Sequence, residues 1–232
     1  MNWYRTHKNI NLSRYIFLTI LVLAFCLPYA NQFHIPQTGR DVTRLISIKQ
    51  NPPPVVESWN NSQRLPSLNH FVDELVNGQS KSLRGVYVPG FLALPIVQQP
   101  SGNTGFVSEQ PGTVTQFQLA NRYGVVGLLA HNYLSGNDFY RLIEGLKVMV
   151  IKGDGSFQNY RITEVTEFQK VTPGSNWSQY INLETGERLT TYQVFSQYYQ
   201  GDHHLTFQTC LERDGLETWG LRFVVAEPVE SS

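Results

Sequence analysis

The chain has 232 residues, with 18 Lys and Arg against 18 Asp and Glu, so its formal net charge is zero and bulk electrostatics supply no affinity for nucleic acid. Hydrophobic residues make up 41% and charged residues 16%, which excludes a disordered or strongly polar chain. The 13 Phe, 12 Tyr and 18 Gly favour pleated strands and tight turns, and so a β-rich domain.

In chain order, Arg5, Lys8 and Arg14 precede an uncharged stretch from Tyr15 to Ala30. That stretch is shorter than the roughly 20 apolar residues that span a bilayer and longer than a minimal signal-peptide core of about 7 to 15. A cleaved signal and a retained anchor both stay open. Pro28-Tyr29-Ala30 makes a poor small-x-small cleavage site, which favours an anchor with its basic end inside and the rest of the chain outside the cytoplasm. Residues 1–30 are thus expected to be a signal or anchor. Residues 31–69, with Pro52, Pro53 and Pro54 in a row, read as an extended extracytoplasmic stalk, and residues 70–232 as the folded domain.

The stretch from Leu68 to Gly78 predicts a short helix with Leu68, Phe71, Leu75 and Val76 on one side. From Leu83 onward, short strand-like runs follow one another: Leu83–Gly90, Leu92–Gln99, Thr115–Ala120, Tyr123–His131, the long stretch Leu146–Phe168, Leu189–Phe195, His204–Cys210 and Gly220–Pro228. Such runs between turns predict a barrel or sandwich. Asp154-Gly155 lies between two apolar alternations and predicts a hairpin. Asn137–Leu146 predicts a helix, with Phe139, Leu142, Ile143 and Leu146 at helical spacing and Asn137 as its cap.

Only two cysteines occur. Cys26 lies in the apolar N-terminal stretch, so Cys210 stands alone in the exported part and is expected to be a free, reactive thiol without an internal disulfide. Alternation along His204–Cys210 puts Leu205 and Phe207 on one face and Thr206, Gln208 and Cys210 on the other, polar one. In the last strand Leu221, Phe223 and Val225 share a face and Arg222 takes the other, so pairing of the two strands is expected to set Arg222 beside the thiol. A lone thiol becomes a nucleophile near neutral pH when a base or cation adjoins it. His131, which ends an apolar strand and opens a polar loop, is the best candidate. His203 and His204 read as loop residues, since neighbours on an extended chain point apart and no further cluster has metal-ligand spacing. Asn60-Asn61-Ser62 and Asn176-Trp177-Ser178 fit the glycosylation pattern, which matters only in a eukaryotic secretory host.

Between about Leu83 and Pro228 these residues resemble the sortases, extracytoplasmic cysteine transpeptidases of bacteria. The stretch from Val125 to Val150 resembles that family's histidine segment, Leu205–Cys210 its Thr-Leu-x-Thr-Cys strand, and Glu217–Ala226 the strand that supplies its arginine. Ala130-His131-Asn132 stands in place of the common Gly-His pair, and Phe207 in place of the usual leucine. The resemblance implies an all-β fold, a closed eight-stranded β-barrel with short helices. It implies catalysis by Cys210 as nucleophile, His131 as acid and base, and Arg222 at the oxyanion or on the substrate backbone, with Thr209 and Asn132 at the substrate. It further implies cleavage of a surface protein's sorting motif of the Leu-Pro-x-Thr-Gly type and transfer to a cell-wall or pilin amine, without a cofactor or metal. The segment from Val171 to Asp202 would line the groove. A hydrolytic cysteine peptidase, and a barrel that only binds, are the two competing readings.

Overall fold

The computed structural model describes residues 65–175 and 177–230, all of which fall in one compact unit. The anchor, the stalk up to residue 64, Cys26 and the Asn60 sequon lie outside the described residues, as does Asn176 of the second sequon.

Helix α1 (Leu68–Leu75) is started by Ser67, whose hydroxyl accepts from the His70 N–H at 3.3 Å. Its buried Phe71 and Leu75 pack against Tyr87, Met149 and Ile151. Among the described residues ten strands, two further α-helices and one 3-10 helix follow: β1 (Leu83–Val88), β2 (Leu92–Gln98), β3 (Val114–Phe117), α2 (Gln118–Arg122), β4 (Val126–Leu129), the 3-10 helix (Ser135–Arg141), β5 (Lys147–Lys152), β6 (Phe157–Lys170), β7 (Tyr180–Asn182), β8 (Arg188–Leu189), α3 (Thr191–Tyr199), β9 (Leu205–Arg213) and β10 (Leu216–Pro228). Eight of the strands form a closed ring in the order β10, β9, β4, β3, β2, β1, β5, β6, sealed by pairing of β6 with β10. The barrel is mixed: β2 runs parallel to β3 and β4 parallel to β9, the other neighbours being antiparallel. Closure leaves no unpaired sheet edge in the ring. The short strands β7 and β8 extend from β6 outside it.

Two apolar layers result. Inside the barrel, Val86, Ile96, Val114, Leu128, Val150, Phe207 and Val224 meet, with Phe139 and Leu142 capping them. On the outer wall, Leu129, Phe168, Leu221 and Phe223 are covered by Phe117, Val194, Phe195, Tyr198 and Tyr199. Tyr198 stacks on Phe223 with ring centroids 4.1 Å apart.

The expected hairpin forms between β5 and β6. Gly155 takes φ 84°, and the Asp154 carboxylate accepts from the Ser156 N–H and hydroxyl. Three expectations change. Of Leu189–Phe195 only Leu189 lies in a strand: Thr190 and Gln193 make a reciprocal capping box that starts α3, and this overrides the strand preference of the Thr, Tyr and Val it contains. Thr115–Ala120 turns from strand to helix after Phe117. Residues 137–146 form no amphipathic helix: the helical turns run from Ser135 to Arg141 as a 3-10 helix, Leu142 is extended and Ile143 is exposed.

Candidate active site

The parallel pairing of β4 with β9 builds the site. Its register runs from Val126 opposite Leu205 to Leu129 opposite Gln208. One residue on, the Ala130 N–H donates to the Gln208 carbonyl at 3.3 Å, and the Thr209 hydroxyl donates to the Ala130 carbonyl at 3.0 Å. The backbone therefore leaves the sheet at His131 alongside Cys210. Alternation puts His131 on the same side as Leu129, and Cys210 on the same side as Gln208, which is the outer wall for both. The loop that follows folds back at once: Leu134 and Gly136 donate to the His131 carbonyl at 3.0 and 2.9 Å. A methyl group at Gly136 would run into the Thr209 hydroxyl and the His131 carbonyl, so glycine lets the loop lie flat on β9. Thr209 is buried and its hydroxyl is engaged, which makes it a buttress of this loop. Asn132 reaches away from the loop and donates to the Glu217 carbonyl at 3.4 Å.

His131 lies between two groups that its own strand does not announce. Its Nε2 is 3.3 Å from Glu109 Oε1, and its ring stacks on Tyr133 with centroids 5.0 Å apart. The Tyr133 hydroxyl donates to the second Glu109 oxygen at 3.1 Å, so one carboxylate ties both rings. Burial, then the bond to Glu109, pushes the Tyr133 phenol up to about 12, and it stays a donor at neutral pH. Glu109 belongs to the loop between β2 and β3. Gln99 pins that loop through its amide bonds to the Thr104 and Phe106 carbonyls, and the Ser108 N–H donates to the Thr115 hydroxyl at 2.8 Å.

Cys210 departs from expectation in two respects. Its face of β9 is not a polar surface: the outer wall is itself clad by α3, Thr206 donates to the Tyr198 carbonyl, and the Tyr199 hydroxyl donates to Gln208. Cys210 is 8% exposed and packs in the outer apolar layer. It is also disulfide-bonded, to a partner outside the described residues, rather than a free thiol. On the backbone, the Cys210 carbonyl accepts from the Tyr140 hydroxyl at 2.7 Å, a phenol pushed up mainly by burial.

Arg222 does not stand beside the sulfur. Across β9 and β10 it is Leu221 that faces Cys210, while Arg222 faces Thr209. Directly opposed residues of an antiparallel pair share a face, so Arg222 points to the side opposite Cys210. There its guanidinium is occupied by Glu167 on β6, by the Leu142 carbonyl at 3.1 Å and by the Tyr140 carbonyl at 3.5 Å, and it lies 5.8 Å from the Tyr140 ring centre. Its side chain is 11% exposed, and its Nε is buried without a hydrogen-bond partner among the described residues. The geometry is that of a clamp on the segment after His131. His203 and His204 do sit in the loop before β9, but both are tied down by backbone carbonyls: His203 to Gly124, His204 to Asp202 and Tyr198.

Sequence reasoning brought His131 and Cys210 to adjacent strands and missed Glu109, Tyr133 and Tyr140. Tyr133, two residues after His131, carried a weak signal. Glu109 carried none, because an irregular loop has no periodicity to read.

No family model matches the chain, and no curated protein does. The chain is similar in structure to sortase A of Listeria monocytogenes, with a TM-score of 0.39 and 14% identity over 64% of this chain and 87% of that one. It is likewise similar to a lid mutant of sortase C1 of Streptococcus agalactiae, at 0.41 and 12% over 69% of this chain and 74% of that one. A sortase from Actinomyces oris gives 0.41 and 17% over 66% and 81%.

Proposed function

We propose that this chain, in the form in which Cys210 is a thiol, is a cysteine transpeptidase acting on an extended peptide outside the cytoplasm. The observation that carries the reading is the parallel register of β4 and β9, which supports His131 and Cys210 as one working pair on one wall of the barrel. In that reading the Cys210 sulfur attacks the carbonyl carbon of a peptide bond, the C–N bond breaks, and His131 gives its proton to the departing amine. The acyl group is held as a thioester. His131 then takes a proton from an incoming amine, whose nitrogen forms the new amide as the sulfur leaves. Glu109 and Tyr133 hold the imidazole in place, and Arg222 positions the 140–142 segment rather than touching the reacting atoms. Substrate and acceptor are the sorting motif of a surface protein and an amine of the cell-wall or pilin type, met by an enzyme anchored through its N-terminus. Among the described residues no helix is long and apolar enough to cross a membrane.

Two observations favour a second reading, a barrel that binds without catalysis: Cys210 is disulfide-bonded, and the residue opposite it is leucine rather than a cation. One assay separates the readings. The full-length protein is incubated with a Leu-Pro-x-Thr-Gly type peptide, with and without triglycine, before and after reduction with dithiothreitol, and products are identified by mass spectrometry. The transpeptidase reading expects a triglycine-joined product only after reduction, lost at least about a thousandfold in Cys210→Ala. Cleavage indifferent to triglycine means a hydrolase. No cleavage in either redox state, over a panel of sorting peptides, leaves the binding module.

A further inference from the structure

The inward-facing positions of the barrel change character at one mouth. On β2 the inward series passes from Ile96 to Gln98, and on β3 from Val114 to Gln116. On β5 it passes from Val150 to Lys152, while on β6 Gln158 precedes Tyr160. Two pairs of strands on either side of β1 thus replace the next apolar layer by three carboxamides and one ammonium. Among them lies a cavity of about 270 Å³, lined further by Lys81 and His203 and by no Asp or Glu among the described residues. It is at the far mouth from His131 and Cys210: Val126 and His203, which line it, stand at the N-terminal ends of β4 and β9, whereas the proposed pair follows their C-terminal ends.

The donors there are fixed in direction. The Gly124 carbonyl can only accept, so the His203 Nδ1 facing it at 2.6 Å carries a proton. The other nitrogen, in the neutral ring, accepts from the Tyr160 hydroxyl at 3.0 Å. Neither Lys81 nor Lys152 has an ion-pair partner within 4.0 Å among the described residues. Asp154 feels the charge of Lys152, but its carboxylate is held by Ser156 in the β5–β6 turn. Two ammonium groups without an ion-pair partner among the described residues stand over a floor of carboxamides, of which Gln98 already donates to the Leu83 carbonyl at 3.0 Å; with no competing carboxylate in the lining among the described residues, they suit a small dianion.

We propose that this mouth is a second binding site, independent of the Cys210 chemistry, for a phosphate group, carried either by a soluble phosphate ester or by a lipid headgroup. The cavity lies at the small end of the range for ligand pockets, about 300 to 1,000 Å³, and so selects a group of phosphate size over a larger polyanion.

The test uses the full-length protein at low ionic strength, titrated with inorganic phosphate by calorimetry and, separately, sedimented with phosphatidylglycerol vesicles. Saturable uptake of phosphate is expected, weakening as salt is raised. It should fall about tenfold in each of Lys81→Gln and Lys152→Gln, persist in Lys152→Arg, and be unchanged in Cys210→Ala. Vesicle binding that free phosphate displaces identifies a headgroup, and phosphate binding without vesicle binding identifies a soluble ester. No saturable uptake in either arm, or full affinity in the Lys81→Gln/Lys152→Gln double variant, overturns the site. Lys81 is exposed ahead of β1, so its variant tests the proposal even if changes at Lys152 impair folding.

Discussion

The two faces of the β9–β10 ribbon carry opposite chemistry. Toward the outer wall, Cys210, Leu221 and Phe223 sit in an apolar layer under α3. Toward the other face, Thr209 bonds to the Ala130 carbonyl, and Arg222 meets Glu167 and the carbonyls of Tyr140 and Leu142. A sulfur and a guanidinium that a strand diagram sets side by side are separated by the thickness of the sheet. Parity along each strand is visible in a sequence, but the parity of one strand relative to its neighbour is set by the turn between them.

The largest break in this contrast is expected at Arg222. If it is a clamp, Arg222→Met strands Glu167 and frees two carbonyls, and costs about 3 kcal/mol in urea denaturation, the scale for removing one partner of a largely buried pair. Its effect on transfer should then be mended by conditions that restore folding. A rate loss in a variant with unaltered stability would instead put the guanidinium at the reacting atoms.

The outer face has an ionic oddity of its own. Lys170 lies two residues beyond Phe168, which is opposite Leu221, and so shares the wall of Cys210; it is 1% exposed, with its ammonium unbonded among the described residues. Burial draws it down to about 8 from 10.5. The cost of its charge is therefore fully present below pH 8 and is relieved between about pH 8 and 10.5, as the unfolded chain alone keeps the proton. Lys170→Met should stabilise the protein by about 1 to 3 kcal/mol at pH 7, and the gain should vanish near pH 10.5 in melts of the two proteins compared side by side. An advantage that did not vary with pH would mean that Lys170 is uncharged at neutrality.

The smallest effect sharpens the contrast most finely. Thr190→Ala removes the cap of α3 and should cost about 1 kcal/mol. Because α3 covers the outer face only, the reduced Cys210 should then react faster with iodoacetamide while the Arg222 face keeps its amide protection in hydrogen exchange.

How much of this could be read from residue order follows the same division. The barrel strands are legible where alternation is long, as in Leu146–Phe168, and where Asp154-Gly155 marks the turn. The histidine strand is legible because His131 ends an apolar run, and the cysteine strand because Leu205 and Phe207 alternate with polar residues. The β7–β8 pair is not: Tyr180–Asn182 and Arg188–Leu189 are too short to show a period. Nor is the α3 helix, whose Thr, Tyr and Val favour a strand until the Thr190–Gln193 box is weighed against them. The burial of Cys210 was hidden because Thr206 and Gln208 look like solvent-facing groups, yet their polar atoms are spent on Tyr198 and Tyr199.

The ribbon pairs Leu216 with Arg213 near its turn, then changes step before Gly220 meets Leu211. One residue lost at that irregularity would bring Arg222 opposite the sulfur, and one gained would bring Gly220 there. Either slip would also turn Leu221 and Phe223 off the outer wall, so a cation at the thiol and the apolar cladding around it exclude one another in this ribbon.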